Sequence, residues 1–206
     1  MKKWRLIEKC ALGAFVCLFL FEALSFQSGC EEIRENVVRM HVVANSDSAA
    51  DQKLKLIVRD EILREGEILL KNTREKEEAL AALSENLPRF EKAAEETLRK
   101  NGCCMPVSVS LETAYFPTKE YETVTLPAGT YDALRVVIGA GKGKNFWCVL
   151  FPSLCLGASF DERDFFCRIG ENGAKIVSGA QEYTIEWKVL EIIEKIRSFF
   201  DQGKDG

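Results

Sequence analysis

The spacing of apolar side chains changes along this chain, and that change limits the folds it can adopt. From about residue 49 to Gly102, apolar residues recur every three or four positions, which is typical of amphipathic helices. From Val107 to Phe151 they alternate or form short apolar runs, which predicts strands. A first strand at about 36–44 precedes the helices. The sequence therefore predicts an α+β fold: a mainly antiparallel sheet of about five strands, a layer of helices inserted after the first strand, and a C-terminal helix.

Sequence signals mark the ends of several predicted elements. The first helix begins at Ala49 with Ser48 as its N-cap and runs to about Lys71. Asn86 and Pro88 divide the next helical stretch in two, because proline has no N–H to donate inside a helix. The remaining predictions are strands at 107–115, 121–126, 131–138 and 145–151 and a helix at 183–200. The strand at 145–151 is apolar on both faces, which predicts a central position in the sheet.

The N-terminal residues have the composition of a targeting segment. Lys2, Lys3, Arg5 and Lys9 precede an apolar run at 10–21. That run is shorter than the roughly 20 residues a membrane-spanning helix needs, which favours a signal peptide. An uncleaved anchor remains open, because apolar residues resume after Glu22. We predict a signal peptide or membrane anchor at 1–29, followed by a single extracytoplasmic α+β domain at 30–206.

The end of the predicted targeting segment can be compared with two kinds of cleavage site, that of a signal peptidase and that of a lipoprotein. Ala23 and Ser25 could occupy the small-residue positions of a signal-peptidase site. The sequence Gln-Ser-Gly-Cys at 27–30 resembles a lipoprotein cleavage box, but Gln27 stands where an aliphatic residue is expected. The residues therefore disfavour lipidation of Cys30.

The charge and cysteine content exclude some classes of function. Residues 1–30 contain four basic and two acidic side chains, which leaves 24 basic and 30 acidic residues in the rest of the chain. An acidic domain of this kind argues against a nucleic-acid partner or an anionic lipid surface. The eight cysteines include no Cys-x-x-Cys motif, and with one histidine they predict no metal site. Cys148 and Cys155 are a possible disulfide, since a strand end and the loop after it can return to bonding distance.

The segment from Arg39 to Ser48 contains the only histidine of the chain, His41. In a strand, Val38, Met40, Val42 and Ala44 would point to one face, and Arg39, His41, Val43 and Asn45 to the other. Two interpretations stay open. Either the polar residues only pack, cap and turn, or they form a functional polar patch.

Three catalytic hypotheses can be tested against the sequence. The glycine-lysine segment at 139–144 lacks the spacing of a phosphate-binding loop and lies between two predicted strands, so a basic hairpin tip fits it better. A thiol hydrolase using Cys148, His41 and Asn45 has the required residue types, but burial would raise the thiol pKa of Cys148. Ser46 lacks the glycine-flanked elbow of a serine hydrolase. The sequence assigns no catalytic residue and no cofactor.

Several separated motifs resemble the stage II sporulation protein R family. They are RMHVVANSDS at 39–48, YFP at 115–117, LPAG at 126–129, RVVIG at 135–139 and GKGKNFWCVLFP at 141–152, with Cys155. The resemblance covers about residues 33–156 in order. Met40, Ala49, Phe146 and Ser153 depart from the family pattern, and beyond Leu156 the match fades.

The resemblance implies a signalling protein and not an enzyme. Members of this family are expected to be exported from the forespore to the intermembrane space, secreted or anchored by their N-terminal segment. There the protein would activate its receptor, a membrane-embedded aspartyl protease of the mother cell, leading to processing of pro-sigma-E. The membrane would be contacted only through the N-terminal segment.

The polar residues of two segments are predicted to contact that partner. They lie on the first strand, in the loop after it and at the glycine-lysine tip. The candidates are Arg39, His41, Asn45, Ser46, Asp47, Lys142, Lys144, Asn145 and Trp147.

Overall fold

The structure is a computed structural model that describes residues 2–121, 124–152, 162–178, 188, 190–192 and 194. Six helices and six strands lie within the continuous ranges of this description. In chain order they are α1 (Lys2–Asn36), β1 (Val38–Val43), α2 (Ala49–Leu70), α3 (Lys76–Glu85), α4 (Leu87–Lys100), β2 (Val107–Phe116), β3 (Lys119–Glu120), β4 (Thr125–Leu126), β5 (Gly129–Ile138), β6 (Asn145–Phe151), α5 (Glu162–Arg168) and α6 (Glu171–Ser178).

The main sheet has four strands in the order β2-β5-β1-β6. β2 pairs antiparallel with β5, and β1 pairs antiparallel with β6. The two central strands, β1 and β5, run parallel, with His41 opposite Arg135. The fold is therefore α+β with a mixed sheet, and β1 lies between two strands that come from the second half of the sequence.

The predicted α+β fold is confirmed, and two of the three strand pairings in the sheet are antiparallel, as expected. The third pairing is parallel, because the long connection through α2, α3 and α4 allows β1 and β5 to run in the same direction. Two other details of the predicted sheet were wrong. β6 lies at an edge of the described sheet and not in its centre; it is buried at Cys148–Phe151 because both of its faces are covered. The strand predicted at 121–126 is reduced to β4, which pairs with β3 in a separate ribbon, and residues 122–123 lie outside the described residues.

The first face of the sheet is covered by α2, α3 and α4. Val38, Met40 and Val42 of β1 point into this layer, as the alternation predicted, and are fully buried. The predicted helix start at Ser48 is confirmed: its side chain accepts a hydrogen bond from the Asp51 N–H. Gly66 lies within α2, where a Cβ would come 2.7 Å from Leu150 Cδ1, so this helix packs closely on β6. The predicted division of the following helices is confirmed by Asn86, which lies between α3 and α4.

The second face of the sheet is covered at one end only. Phe26, Cys30 and Ile33 of α1 form a second core with Ile176 of α6 and with Phe116 and other residues of the sheet. The predicted helix at 183–200 lies largely outside the described residues, but Leu190 contributes to this core. At the other end, between β2 and β6, polar and aromatic side chains of the sheet remain partly exposed.

α1 extends from the predicted targeting segment into the folded domain without a break. Its final residues pack on the second face of the sheet, whereas large apolar side chains nearer its N-terminus are exposed. In the part of the chain that the structure describes, no helix has both the length and the apolar character of a membrane span.

Candidate functional site

One side chain from each of the four main strands forms a continuous patch on the uncovered end of the second face. The four are Glu112 of β2, Arg135 of β5, His41 of β1 and Trp147 of β6, here called the open sheet face. His41 faces Arg135 on one side and Trp147 on the other in the strand register. The His41 and Trp147 rings are stacked with centroids 5.2 Å apart and planes 1° apart. His41, Arg135 and Trp147 thus lie at one level of the sheet, and Glu112 lies opposite Ala133, two residues along β5 from Arg135.

Glu112 connects the two basic side chains of the open sheet face. Its Oε1 lies 3.0 Å from His41 Nε2, and its Oε2 accepts a hydrogen bond of 3.2 Å from Arg135 Nη1. Burial lowers the pKa of His41, and the hydrogen bond with Glu112 opposes that shift only in part. His41 is therefore neutral at pH 7. Its Nδ1 is buried and has no hydrogen-bond partner among the described residues.

Arg39, predicted to contact a partner, is fully buried in the second core. Its guanidinium carbon lies 4.6 Å from the centroid of the Phe116 ring and 5.1 Å from that of Tyr131. Its Nε donates to the Cys148 carbonyl oxygen at 3.1 Å, and Nη2 donates to the Tyr121 hydroxyl at 3.2 Å. Arg39 therefore cannot contact a partner directly, and it can only stabilise the residues that form the surface.

The predicted polar loop after β1 is joined to the glycine-lysine tip between β5 and β6. The side-chain Oδ1 of Asn45 accepts a hydrogen bond from the Ala140 N–H at 2.9 Å. The backbone carbonyl oxygen of Asn45 accepts one from the Lys142 N–H at 3.1 Å. Asp47 Oδ1 accepts another from the Lys144 N–H at 2.8 Å. Asn45 and Asp47 thus act first as structural residues: they satisfy backbone donors of the tip.

The same loop is fixed to the start of α2 by Asp51. This carboxylate accepts hydrogen bonds from Asn45 Nδ2 at 2.9 Å and from Ser46 Oγ at 2.5 Å. The two bonds lower the pKa of Asp51, so the carboxylate is ionised at neutral pH. Lys55 completes the junction by donating to the Lys144 carbonyl oxygen at 3.0 Å. The Ser46 hydroxyl therefore donates to the Asp51 carboxylate and helps to fix the loop to α2.

The glycines of the tip are required by this close approach. Gly139 has a φ of 57°, and a Cβ there would collide with the Asn45 side chain. At Gly143 a Cβ would collide with the Ser46 backbone and come 2.8 Å from Ala44 Cβ. Packing between the two loops thus explains Gly139 and Gly143, whereas a Cβ at Gly141 would come 2.6 Å from Val137 Cγ1 of β5. The tip is not the predicted hairpin, because β1 lies between β5 and β6.

The remaining predicted contact residues are accessible. Lys142, Lys144 and Asn145 are exposed, and Trp147 is half-buried at the border of the open sheet face. Their backbone is held by Asn45 and Asp47, so the two lysine side chains extend from a fixed support. This arrangement suits a contact with an acidic partner better than it suits catalysis.

The proposed thiol hydrolase does not form. Cys148 is opposite Met40 in the register and belongs to the first core, whereas His41 is opposite Trp147 and points to the second face. The sheet therefore separates the thiol from its supposed base. Cys148 is also disulfide-bonded, so it has no thiolate to act as a nucleophile. Cys155 lies outside the described residues, and its pairing with Cys148 stays a prediction.

Two residues of the open sheet face were not predicted from the sequence. Glu112 and Arg135 lie on strands far from the His41 segment in the chain, and only the register brings them together. The strand alternation placed both on the polar side of their own strands, which was the available signal. Among the described residues, no group of three or more His, Cys, Asp or Glu side chains could hold a metal ion.

The stability of the protein is expected to fall as the pH is lowered from 7, because of His41. Burial depresses the pKa of this histidine in the folded state, while in the unfolded chain it is close to 6.5. Below about pH 6.5 the unfolded state therefore binds more protons, and the free energy of unfolding decreases until the pH reaches the folded-state pKa. Urea unfolding followed by circular dichroism between pH 5.5 and 7.5 measures this slope.

His41→Phe is the matched variant for this measurement. It preserves an aromatic ring against Trp147 but cannot titrate, and His41 is the only histidine of the chain. The variant should show a flatter pH dependence over the same range. Equal slopes in the two proteins would contradict the assignment to His41.

Comparison with known proteins agrees with the motifs described above. The fold and site define an α+β domain with a polar surface at one end of a mixed sheet and without a metal-binding cluster among the described residues. The family model described as stage II sporulation protein R matches residues 34–160. The chain belongs to this family.

The chain is also similar in sequence to a curated protein of the same family. Stage II sporulation protein R of Bacillus subtilis (strain 168) is 40% identical over 123 residues, which is 60% of this chain and 55% of the relative. The match thus spans about half the length of that relative. No solved structure matches the chain. The family is one of sporulation proteins, and its shared region contains the open sheet face and both loops.

Proposed function

We propose that this protein is an exported signal that activates a membrane-embedded aspartyl protease of the mother cell, leading to processing of pro-sigma-E. Membership of the stage II sporulation protein R family is the observation that carries this proposal. The protein would act in the space between forespore and mother cell. In this interpretation the protein binds the protease, and the protease cleaves pro-sigma-E.

The contact surface in this proposal combines the glycine-lysine tip with the edge of the open sheet face. Lys142 and Lys144 provide two exposed positive charges on a backbone fixed by Asn45 and Asp47. Trp147 provides a half-buried aromatic ring, a residue type that often dominates binding energy at interfaces. A partner with acidic side chains beside an apolar recess would match this surface.

Charge reversal at the tip is expected to abolish signalling. The double variant Lys142→Glu, Lys144→Glu should reduce processing of pro-sigma-E at least tenfold, because like charges would then face an acidic partner. The protein, the candidate protease and pro-sigma-E are co-expressed in a non-sporulating host, and processing is followed by immunoblot. Trp147→Ala is expected to have a similar effect through loss of the aromatic contact.

Lys119→Glu is the matched control. Lys119 is an exposed lysine just beyond Phe116, at the end of β2 that lies far from the glycine-lysine tip. Its substitution therefore makes the same charge change away from the proposed contact surface. It should leave processing unchanged. If the tip variants are exported and folded yet signal like the wild-type protein, the surface assignment is wrong. If the wild-type protein produces no processing in this host, the proposed activation itself fails.

A further inference from the structure

Helix α1 changes from exposed to packed at one residue. The five residues Phe21–Ser25 are all exposed. Phe26 is only 7% exposed and belongs to the second core, together with Cys30 and Ile33. The folded domain therefore begins, in terms of contacts, at Phe26.

The packed part of α1 fits closely against α6. A Cβ at Gly29 would lie 2.9 Å from the Asn172 carbonyl oxygen, and one at Gly173 would lie 3.0 Å from Ile33 Cγ1. Glu32 Oε2 also accepts a hydrogen bond of 2.9 Å from the Gly173 N–H. Such close helix packing shows that the residues just after Phe26 are part of the domain's structure.

The exposed part of α1 has the opposite character. Five large apolar side chains among its described residues are between 64% and 68% exposed: Leu12, Phe15, Leu18, Phe21 and Leu24. An exposed apolar surface of this size is unfavourable in water and suits a segment that lies in a membrane during export. The change from this exposed surface to the packed helix falls directly after Ser25.

We propose that a signal peptidase cleaves the peptide bond between Ser25 and Phe26. Ala23 and Ser25 then occupy the two small-residue positions before the cut. In this hydrolysis the C–N bond breaks, the hydroxyl of water joins the Ser25 carbonyl carbon, and its proton joins the Phe26 nitrogen. The cut removes the five exposed apolar side chains and preserves Phe26, Cys30 and Ile33 in the second core. The inference rests on the export that the proposed function requires.

Lipidation at Cys30 does not fit the same contacts. The Cys30 side chain is fully buried, and burial raises the pKa of its thiol to about 12. A lipid on this sulfur would have to occupy the second core. Cleavage before Cys30 would also remove Phe26 and Gly29, which contact the sheet layer and α6. Cys30 is therefore a core residue of the processed protein.

The mass and N-terminal sequence of the exported protein test the proposal. The full chain is expressed in a host that exports it, and the extracytoplasmic fraction is isolated. We expect an N-terminus at Phe26 and a mass lower by residues 1–25. Ser25→Leu should remove the processed form, because a large side chain blocks the small-residue position before the cut.

Ser28→Leu is the matched control, since it makes the same change at an exposed position three residues later. It should be processed like the wild-type protein. An N-terminus at Cys30 or at any other residue, or an exported chain that is still intact, would overturn the cleavage site. A chain that stays inside the cell would instead refute export, and with it the proposed signalling function. Protease accessibility of the expressed chain distinguishes these outcomes.

Discussion

Arg39→Ala is expected to destabilise the protein by about 3–5 kcal/mol, the range for truncating a large side chain in a core. Arg39 has no exposed surface, and its guanidinium lies against the Phe116 and Tyr131 rings. Truncation would leave a cavity between β1 and the second core and would remove the hydrogen bond to the Cys148 carbonyl oxygen. Urea unfolding followed by circular dichroism measures the loss.

Arg39→Met separates packing from charge in this experiment. Methionine fills much of the same volume and has no charge to bury, and replacing buried charged groups by apolar ones of similar size is often neutral. One guanidinium nitrogen of Arg39, Nη1, is buried without a hydrogen-bond partner in the part of the chain that the structure describes. We expect this variant to retain most of the stability. Equal losses in the methionine and alanine variants would show that the polar contacts dominate instead.

Gly139→Ala is expected to destabilise the protein by about 2–5 kcal/mol and, under the proposed function, to lower signalling with it. The positive φ of Gly139 costs an alanine about 1–2 kcal/mol. The collision of its Cβ with the Asn45 side chain adds about 1–3 kcal/mol, the usual cost of overpacking. The hydrogen bond between Asn45 and the Ala140 N–H would be lost as the loops separate. Urea unfolding and the co-expression assay measure the two effects.

Gly102→Ala is the control for backbone strain alone. Gly102 also has a positive φ, of 75°, but no atom lies within 4 Å of the position a Cβ would take. It should therefore lose only about 1–2 kcal/mol and signal normally. If the two glycine variants are equally stable, the contact between the loops does not hold the tip in place.

The sequence predicted the local structure well, because local structure depends on spacing and end signals. The helix start at Ser48 and the division at Asn86 follow from residues that lie beside the elements they define. The alternation on β1 correctly separated Met40 from His41. These predictions required no knowledge of distant parts of the chain.

The arrangement of the strands could not be predicted in the same way. An apolar run such as β6 shows that both faces are covered, but it does not show how many neighbouring strands are present. β6 is covered on the first face by α2 and in the second core through Val149, so an edge strand has the pattern of a central one. The parallel pairing of β1 with β5 depends on a register that no local pattern contains.

The candidate site was predicted in part, for a related reason. Strand alternation placed Arg39 and His41 on one face, and both do point there. It could not show that α1 and α6 cover the end of that face where Arg39 lies, because this cover comes from the two ends of the described chain. The exposure of Lys142 and the burial of Arg39 thus depend on the tertiary structure.

The position of β1 has a consequence for how the chain reaches its folded state. β1 is the first strand to be synthesised, yet both strands that pair with it, β5 and β6, come after α2, α3, α4 and β2. Contacts between residues so distant in sequence slow folding, since a long loop must close before they form. Until β6 has been synthesised, Val38–Val43 lacks its partner strand on that side, and an unpaired strand edge is a site for aggregation. The final sheet therefore assembles late, after most of the chain has been made.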